Sequence, residues 1–413
     1  MAKRITGFGL WAAGLALSGA LASAPAVAKV EGDTIVFGAA VSITGKYSTE
    51  GKNTKDGYDL AVNRINEMGG VKVGGKSYKV KVQYYDDESD GARAAQLAER
   101  LIQQDGIKFV LGPYSSPITV AMAPITEKHK IPMVEGNGAS RSLFNKGYRY
   151  LFAVLSTSEQ YLTEAVNLAA EQAKRAGKDP KSLKVALAVE NDAFSLDVRA
   201  GVVDDVNRYG MQLIIDDKLP KEINDISATL TKVKALKPDL LVVSGHARGA
   251  GLITRQVGEM KVDVPILAIT HCDTAQVHDQ TKFGKNAENI LCAQQWTPDL
   301  NYKDRWFGTA AEYATRFQKE FNYVPPYQAA ESTASVLVYA DAIQRANTFD
   351  TEKVRDAIAA TNLDTFYGKV KFDDTGKNVA KPMVLQQIQG GKYVTVAPTG
   401  YASGKLVYPR PMW

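Results

Sequence analysis

The stretch Thr34-Ile-Val-Phe-Gly-Ala-Ala-Val41 decides the fold. It is short, almost wholly apolar and rich in β-branched residues, the composition of a strand buried on both faces of a parallel sheet. A parallel partner requires a crossover, and a helix follows. Tyr58 to Met68 carries Leu60, Ala61, Ile65 and Met68 at helical spacing and stops at Gly69-Gly70. The alternation continues with a strand at Tyr78 to Tyr85, a helix at Ala92 to Gln103 and a strand at Lys108 to Leu111. A further helix precedes the strand Ile131 to Val134. The rhythm resumes with strands at Val185 to Val189, Gln212 to Asp216, Asp239 to Val243, Pro265 to Ile269 and Asn289 to Ala293. Helices at Val198 to Tyr209, Ile226 to Ala235 and Gly251 to Met260 separate them. This βα alternation predicts an α/β protein, with more strands than one ordinary sheet holds. Two doubly wound parallel-sheet lobes are the economical expectation, with function in the loops beyond the carboxyl ends of the strands.

Upstream of this stretch, Lys3 and Arg4 precede an apolar run from Ile5 to about Leu21 that closes on Ala26-Val27-Ala28. A basic start, a short apolar core and a small-residue site describe a secretory signal peptide over 1–28. The expected mature chain has about 385 residues and is exported. The formal charge of +5 falls to +3 without Lys3 and Arg4, and no basic cluster interleaved with aromatics suggests nucleic acid. Cys272 and Cys292 are the two cysteines. An oxidising compartment lets them pair, and two buried thiols in adjacent strands is the other reading. The sequence leaves both open.

Several motifs carry less than their pattern suggests. Gly70-x-x-x-x-Gly75-Lys76-Ser77 matches a phosphate-binding loop, but a helix precedes it and a strand follows, the reverse of what phosphate binding needs. It reads as a glycine-rich turn. His271, Cys272, Asp273 and His278 lie close together without a completing metal-ligand pair, so a cleft-lining loop is expected and no metal or cofactor. Ser116, His246 and Asp273 could be drawn as a triad, yet no Gly-x-Ser-x-Gly elbow supports an exported hydrolase. Asp86-Asp87-Glu88 with Asp90 reads as a solvated loop with capping carboxylates.

An ordered set of short pieces resembles the branched-chain amino acid binding proteins, the periplasmic solute receptors of ABC importers with the type I periplasmic binding fold. The pieces are Thr44-Gly45 and Gly51, Asp56-Gly57 with Leu60 to Asn66, Met68-Gly-Gly70, Tyr85-Asp-Asp87 and Val110-Leu-Gly-Pro113 with Ser115-Ser116. Ile131-Pro132, Leu236-x-Pro-Asp239, Tyr313 to Tyr323 with Pro325, and Gly368-x-Val-x-Phe372 with Gly376 complete it. The resemblance implies two lobes, 29–157 with 298–372 and 158–297 with 373–413, joined by a three-segment hinge and closing on a ligand. It implies a monomer that hands its ligand to an inner-membrane permease, without catalysis. A ligand sensor that presents its closed form to a membrane receptor would use the same pocket.

The resemblance also implies a site. The ligand carboxylate would meet backbone N–H groups and hydroxyls at Tyr114, Ser115 and Ser116, with further contacts at Asn137, Gly138 and Ala139. Ala139 stands where the family has a threonine, Phe194 where a tyrosine is common, and His246 replaces another aromatic hydroxyl. The acid that pairs with a ligand ammonium falls near Thr270 or His271, with Asp273 close by, and Tyr327 matches an aromatic contact. The carboxylate half is kept and the ammonium half is rewritten. Either Asp273 or Glu50 supplies the missing charge, or the cargo is a small aromatic acid, which Tyr114, Phe194, Trp296 and Tyr327 would suit.

Overall fold

The computed structural model describes residue 1 and residues 28–411, so nearly all of the expected signal peptide lies outside the described residues. Two seven-stranded sheets form the framework. In the first, Thr34–Val41 lies between Lys76–Asp86 and Val110–Leu111, followed outward by Met133–Glu135 and Leu151–Ala153, all parallel. In the second, Gln212–Leu219, Lys184–Glu190, Leu240–Ser244, Ile266–Ile269 and Leu291–Gln294 run parallel. Every residue of Thr34–Val41 after Thr34 is buried, as its composition requires.

Both sheets are dominated by parallel strands, as expected, with antiparallel additions. Val30–Glu31 and Val71–Val73 pair antiparallel at the first sheet's margin, and the hairpin Val384–Gln389/Lys392–Ala397 closes one edge of the second. The glycine-rich turn is the tip of a hairpin: Val73 pairs with Lys76, and Gly74 and Gly75 take φ of 58° and 77°. That left-handed pair is what a two-residue hairpin turn demands.

The first helix spans Ser48–Glu67, ten residues longer at its start than apolar spacing indicates. Its early turns are polar or glycine, yet buried, because they approach other backbone closely. A Cβ on Gly51 would sit 1.8 Å from the Ser42 carbonyl oxygen, and one on Gly57 would sit 2.3 Å from that of Ala329. Gly57 thereby lets this helix pack on Tyr327–Ala346, a helix buried along nearly its whole length. Among the described residues no helix is long and apolar enough to cross a membrane.

The acidic loop is less solvated than expected. Asp90 caps the helix Gly91–Gln103 through the Arg93 amide, and Asp86 accepts from the Ile43 and Thr44 amides. Asp87, however, is fully buried, where the Ser42 hydroxyl donates to it at 2.6 Å and the Ser89 amide at 2.8 Å. Burial pushes its carboxyl up to about 6 despite those donors.

Cys272 and Cys292 are joined by a disulfide, with Cα atoms 5.7 Å apart. Ser156, Gln295 and Lys381 lie on three separate stretches of chain and are knotted together. Gln295 Oε1 accepts from the Ser156 amide at 3.1 Å, and its Nε2 donates to the Ser156 carbonyl at 2.7 Å. The Lys381 ammonium donates to the Gln295 carbonyl, and the Ser156 hydroxyl donates to the Lys381 carbonyl at 2.8 Å.

Candidate functional site

The two sheets direct the carboxyl ends of their strands at one another, and the loops there build a shared cleft. Tyr114, Ser115 and Ser116 follow Val110–Leu111, and Asn137 follows Met133–Glu135. Phe194 follows Lys184–Glu190, His246 follows Leu240–Ser244, and His271 follows Ile266–Ile269. These residues line one cavity together with Tyr161, Tyr327, Gln328 and Glu331. Its centre is nearly filled by the surrounding side chains. The remaining space is ≈ 10 Å³, room for about one water.

Rings dominate the wall. Centroids are 5.0 Å apart for Tyr161 and Phe194, 5.1 Å for Phe194 and His271, 5.2 Å for His246 and His271, and 6.1 Å for His271 and Tyr327. Such spacings are those of attractive edge-to-face and offset contacts. His271 takes a left-handed backbone (φ 59°), an unusual conformation for a residue with a side chain.

A relay of hydrogen bonds crosses the cleft. The Tyr114 hydroxyl lies 2.8 Å from His246 Nδ1 and 3.1 Å from His271 Nε2, and His246 Nε2 lies 2.8 Å from Asp192 Oδ2. Burial opposes a charge on His246, but Asp192, Glu190 and Glu50 outweigh it and raise its pKa above the ordinary histidine value. Burial and the neighbouring His246 push His271 down to about 3, so it is neutral. The consistent protonation has imidazolium His246 donating to Asp192 and Tyr114, and Tyr114 donating to His271. Glu190, Asp192 and His246 also bring one ligating atom each within 4.8 Å of one another. Because His246 and Asp192 already satisfy each other, the group reads as a buried ion pair.

Other expected residues stand behind the cavity. Glu50 Oε1 accepts from the Ala247 amide at 3.1 Å, capping the helix Ala247–Glu259 across the cleft. Asp273 does the reverse: its Oδ2 accepts from the Tyr327 amide at 3.0 Å, at the start of Tyr327–Ala346, and its Oδ1 from Thr274 at 2.8 Å. Each half of the molecule thus places a carboxylate on the positive end of a helix belonging to the other. Neither acid lines the cavity, so neither is placed to receive a ligand ammonium there. Thr270 is bonded to Gly245, at 2.7 Å to its carbonyl and 3.1 Å from its amide. Gly138 packs on Thr119 and donates to the buried Glu135, and the Ala139 carbonyl accepts from Ser158. Trp296 also departs from the expectation. Its indole donates to the Phe366 carbonyl at 2.9 Å, and it borders a separate groove of ≈ 870 Å³ shared with Asp273, Tyr323 and Tyr393.

The imagined triad does not form. Ser116 Oγ accepts from the Ser140 amide at 3.0 Å, His246 is engaged by Tyr114 and Asp192, and Asp273 faces backbone amides. Four residues of the site escaped sequence reasoning: Tyr161, Asp192, Gln328 and Glu331. For the last two a signal existed. Gln328 and Glu331 are polar residues at the start of a helix whose other positions are mostly apolar, and Glu331 follows Tyr327 by four, on the same face.

Buried polar atoms without a hydrogen-bond partner gather at the cavity wall: Ser115 Oγ, Asn137 Oδ1, Tyr327 Oη and Gln328 Nε2. Ser115 lies near the Tyr47 phenol and Tyr327 near that of Tyr161, in neither case with ordinary hydrogen-bond geometry.

Comparison with known proteins agrees with this architecture. A Leu/Ile/Val-binding protein homolog of Brucella abortus is 24% identical over 389 residues, 91% of this chain and 93% of that one. The branched-chain amino acid transporter substrate binding protein LivJ of Streptococcus pneumoniae, in complex with isoleucine, superposes with a TM-score of 0.75. It is 23% identical and covers 88% of this chain and 100% of its own. An ABC transporter solute binding protein of R. palustris, in complex with 4-hydroxybenzoate, gives 0.74 at 22% identity, covering 92% and 99%. Residues 34–392 match the sequence model of the periplasmic binding proteins, and the chain belongs to that family.

Proposed function

We propose that this protein is the solute-binding component of an ABC importer, taking a small carboxylate from the periplasm and delivering it to an inner-membrane permease as a monomer. The observation that carries the reading is the juxtaposition of Ser115 and Ser116, at the N-terminus of the helix Ser116–Lys128, with a cage of rings drawn from both sheets. A helix N-terminus flanked by hydroxyls is suited to an anion, and the rings suit an apolar or flat body. The isoleucine and 4-hydroxybenzoate of the two structural neighbours share a carboxylate and little else. With so little space at its centre, the cavity admits cargo by separation of the lobes, 29–157 with 298–372 from 158–297 with 373–413. Closure then rejoins Tyr114 to the two histidines and Glu50 and Asp273 to their helices.

A thermal-shift panel on protein unfolded and refolded to strip carried ligand tests this. Aliphatic and aromatic amino acids, aromatic acids, the matching amides and polyols would be compared. Saturation at a hundredfold excess over Kd adds about 2.7 kcal/mol of stability. Shifts confined to carboxylates support the reading, and equal shifts with the corresponding amides refute it.

A further inference from the structure

Glu331 is, among the described residues, the one carboxylate in the cavity wall, and its residue is only 1% exposed. The other buried acids nearby have occupations elsewhere. Asp192 holds His246, Glu190 accepts from the His246 amide, Glu50 and Asp273 cap helices, and Glu135 accepts from Asn137, Gly138 and Thr119. The Tyr367 hydroxyl donates to Glu331 Oε2 at 3.1 Å, the one hydrogen bond found at this carboxylate among the described residues. Behind it, the Lys381 ammonium sits 4.4 Å from the centroid of the Tyr367 ring and is itself buried.

We propose that Glu331 is the residue that reads the cargo, its free oxygen receiving a protonated nitrogen of a ligand whose carboxylate rests at Ser115 and Ser116. The proposal rests on the preceding reading that a small carboxylate occupies this cavity. Asn137 Oδ1, a buried acceptor without a partner in the same wall, offers the nitrogen a second bond, and the faces of Tyr161 and Tyr327 complete a setting that favours a cation. Burial raises the Glu331 pKa well above the ordinary carboxylate range, with Lys381 opposing that rise. An arriving cation at Oε1 offsets the same penalty from the cavity side. The Tyr367 hydroxyl also lies 3.2 Å from Gln295 Oε1, so its one proton is shared between the carboxylate that meets the ligand and the knot of Ser156, Gln295 and Lys381.

The test uses pairs of carboxylates that differ in an amino group: L-leucine with 4-methylpentanoate, L-phenylalanine with 3-phenylpropanoate, and 4-(aminomethyl)benzoate with 4-methylbenzoate. Kd is measured by calorimetry on the stripped, refolded full chain. In at least one pair the amino member binds roughly 100-fold tighter. Glu331→Gln removes that preference, bringing the two members of the pair to comparable Kd values. The comparison within the unsubstituted protein needs no variant, so a variant that fails to fold does not shield the proposal. Amino-free members that bind as tightly as their partners overturn it and leave the carboxylate reading standing. If no member of any pair binds while other classes of compound do, the carboxylate reading fails, and this proposal with it.

Discussion

Gln295 offers a perturbation whose size follows from counted contacts. Its side chain makes five hydrogen bonds in a site closed to solvent: to the Ser156 amide and carbonyl, the Tyr161 and Tyr367 hydroxyls and the Lys381 ammonium, at 2.7–3.3 Å. Gln295→Met keeps the length and bulk and removes all five, so the loss reflects hydrogen bonding rather than a void. Each buried bond contributes about 0.5–1.5 kcal/mol, so the five give about 2.5–7.5 kcal/mol in all, toward the upper end because partners are orphaned. For a chain of about 385 residues a kcal/mol moves Tm by about 1.2 °C, so a fall of roughly 3–9 °C is expected by calorimetry. Gln386→Met is the control, since that glutamine is 5% exposed but makes one side-chain bond, to Thr395 at 3.2 Å. A drop of less than about 2 °C for Gln295→Met, or one matched by the control, would show that the three chain segments are not held by this side chain.

Two further expectations concern the ion pair and the disulfide. The four histidines are few enough to follow individually by NMR. His271 stays neutral down to about pH 3, whereas His246 keeps its proton above the ordinary value near 6.5. A raised His246 contributes stability below its unfolded value and loses it as pH rises through the folded one. The Tm gap between the protein and His246→Gln therefore narrows toward alkaline pH. Joint titration of both rings near 6.5 would contradict the relay. Reduction of Cys272–Cys292, or Cys292→Ser, removes a 20-residue loop closure worth about 3 kcal/mol, visible as a lower midpoint in urea. An unchanged midpoint would mean that the surrounding strands already fix that loop.

The framework was legible because buried parallel strands advertise themselves. Runs such as Thr34–Val41 and Leu240–Ser244 are too apolar to be anything exposed. What stayed hidden were elements whose burial is not apolar. The opening of Ser48–Glu67 is packed through Gly51 and Gly57 against backbone, and a hydrophobic pattern cannot register that. The C-terminal hairpin 384–397 belongs to the second sheet through pairing with Leu291–Gln294, a contact set by topology and not by local sequence. At the site, the family resemblance pointed to Tyr114, Ser115, Ser116, Asn137, Phe194, His246 and His271, and these line one cavity. Which acid faces that cleft was not legible. Glu50 and Asp273 each turn toward a helix end on the opposite half of the molecule, information that resides in how two distant segments are docked. Glu331 could have been suspected, since a carboxylate on the buried stretch of a helix must answer to something.

Tyr327 divides two tasks between different atoms of one residue. Its ring is part of the cavity wall, while its backbone amide is what Asp273 grips from across the cleft. Because the grip is on main chain, every residue type except proline supplies it equally. The same holds at Ala247, held by Glu50. The palette of cargo can therefore drift at position 327 while the fastening that joins the halves stays the same, an arrangement in which recognition evolves on side chains and the grip is carried by the peptide backbone.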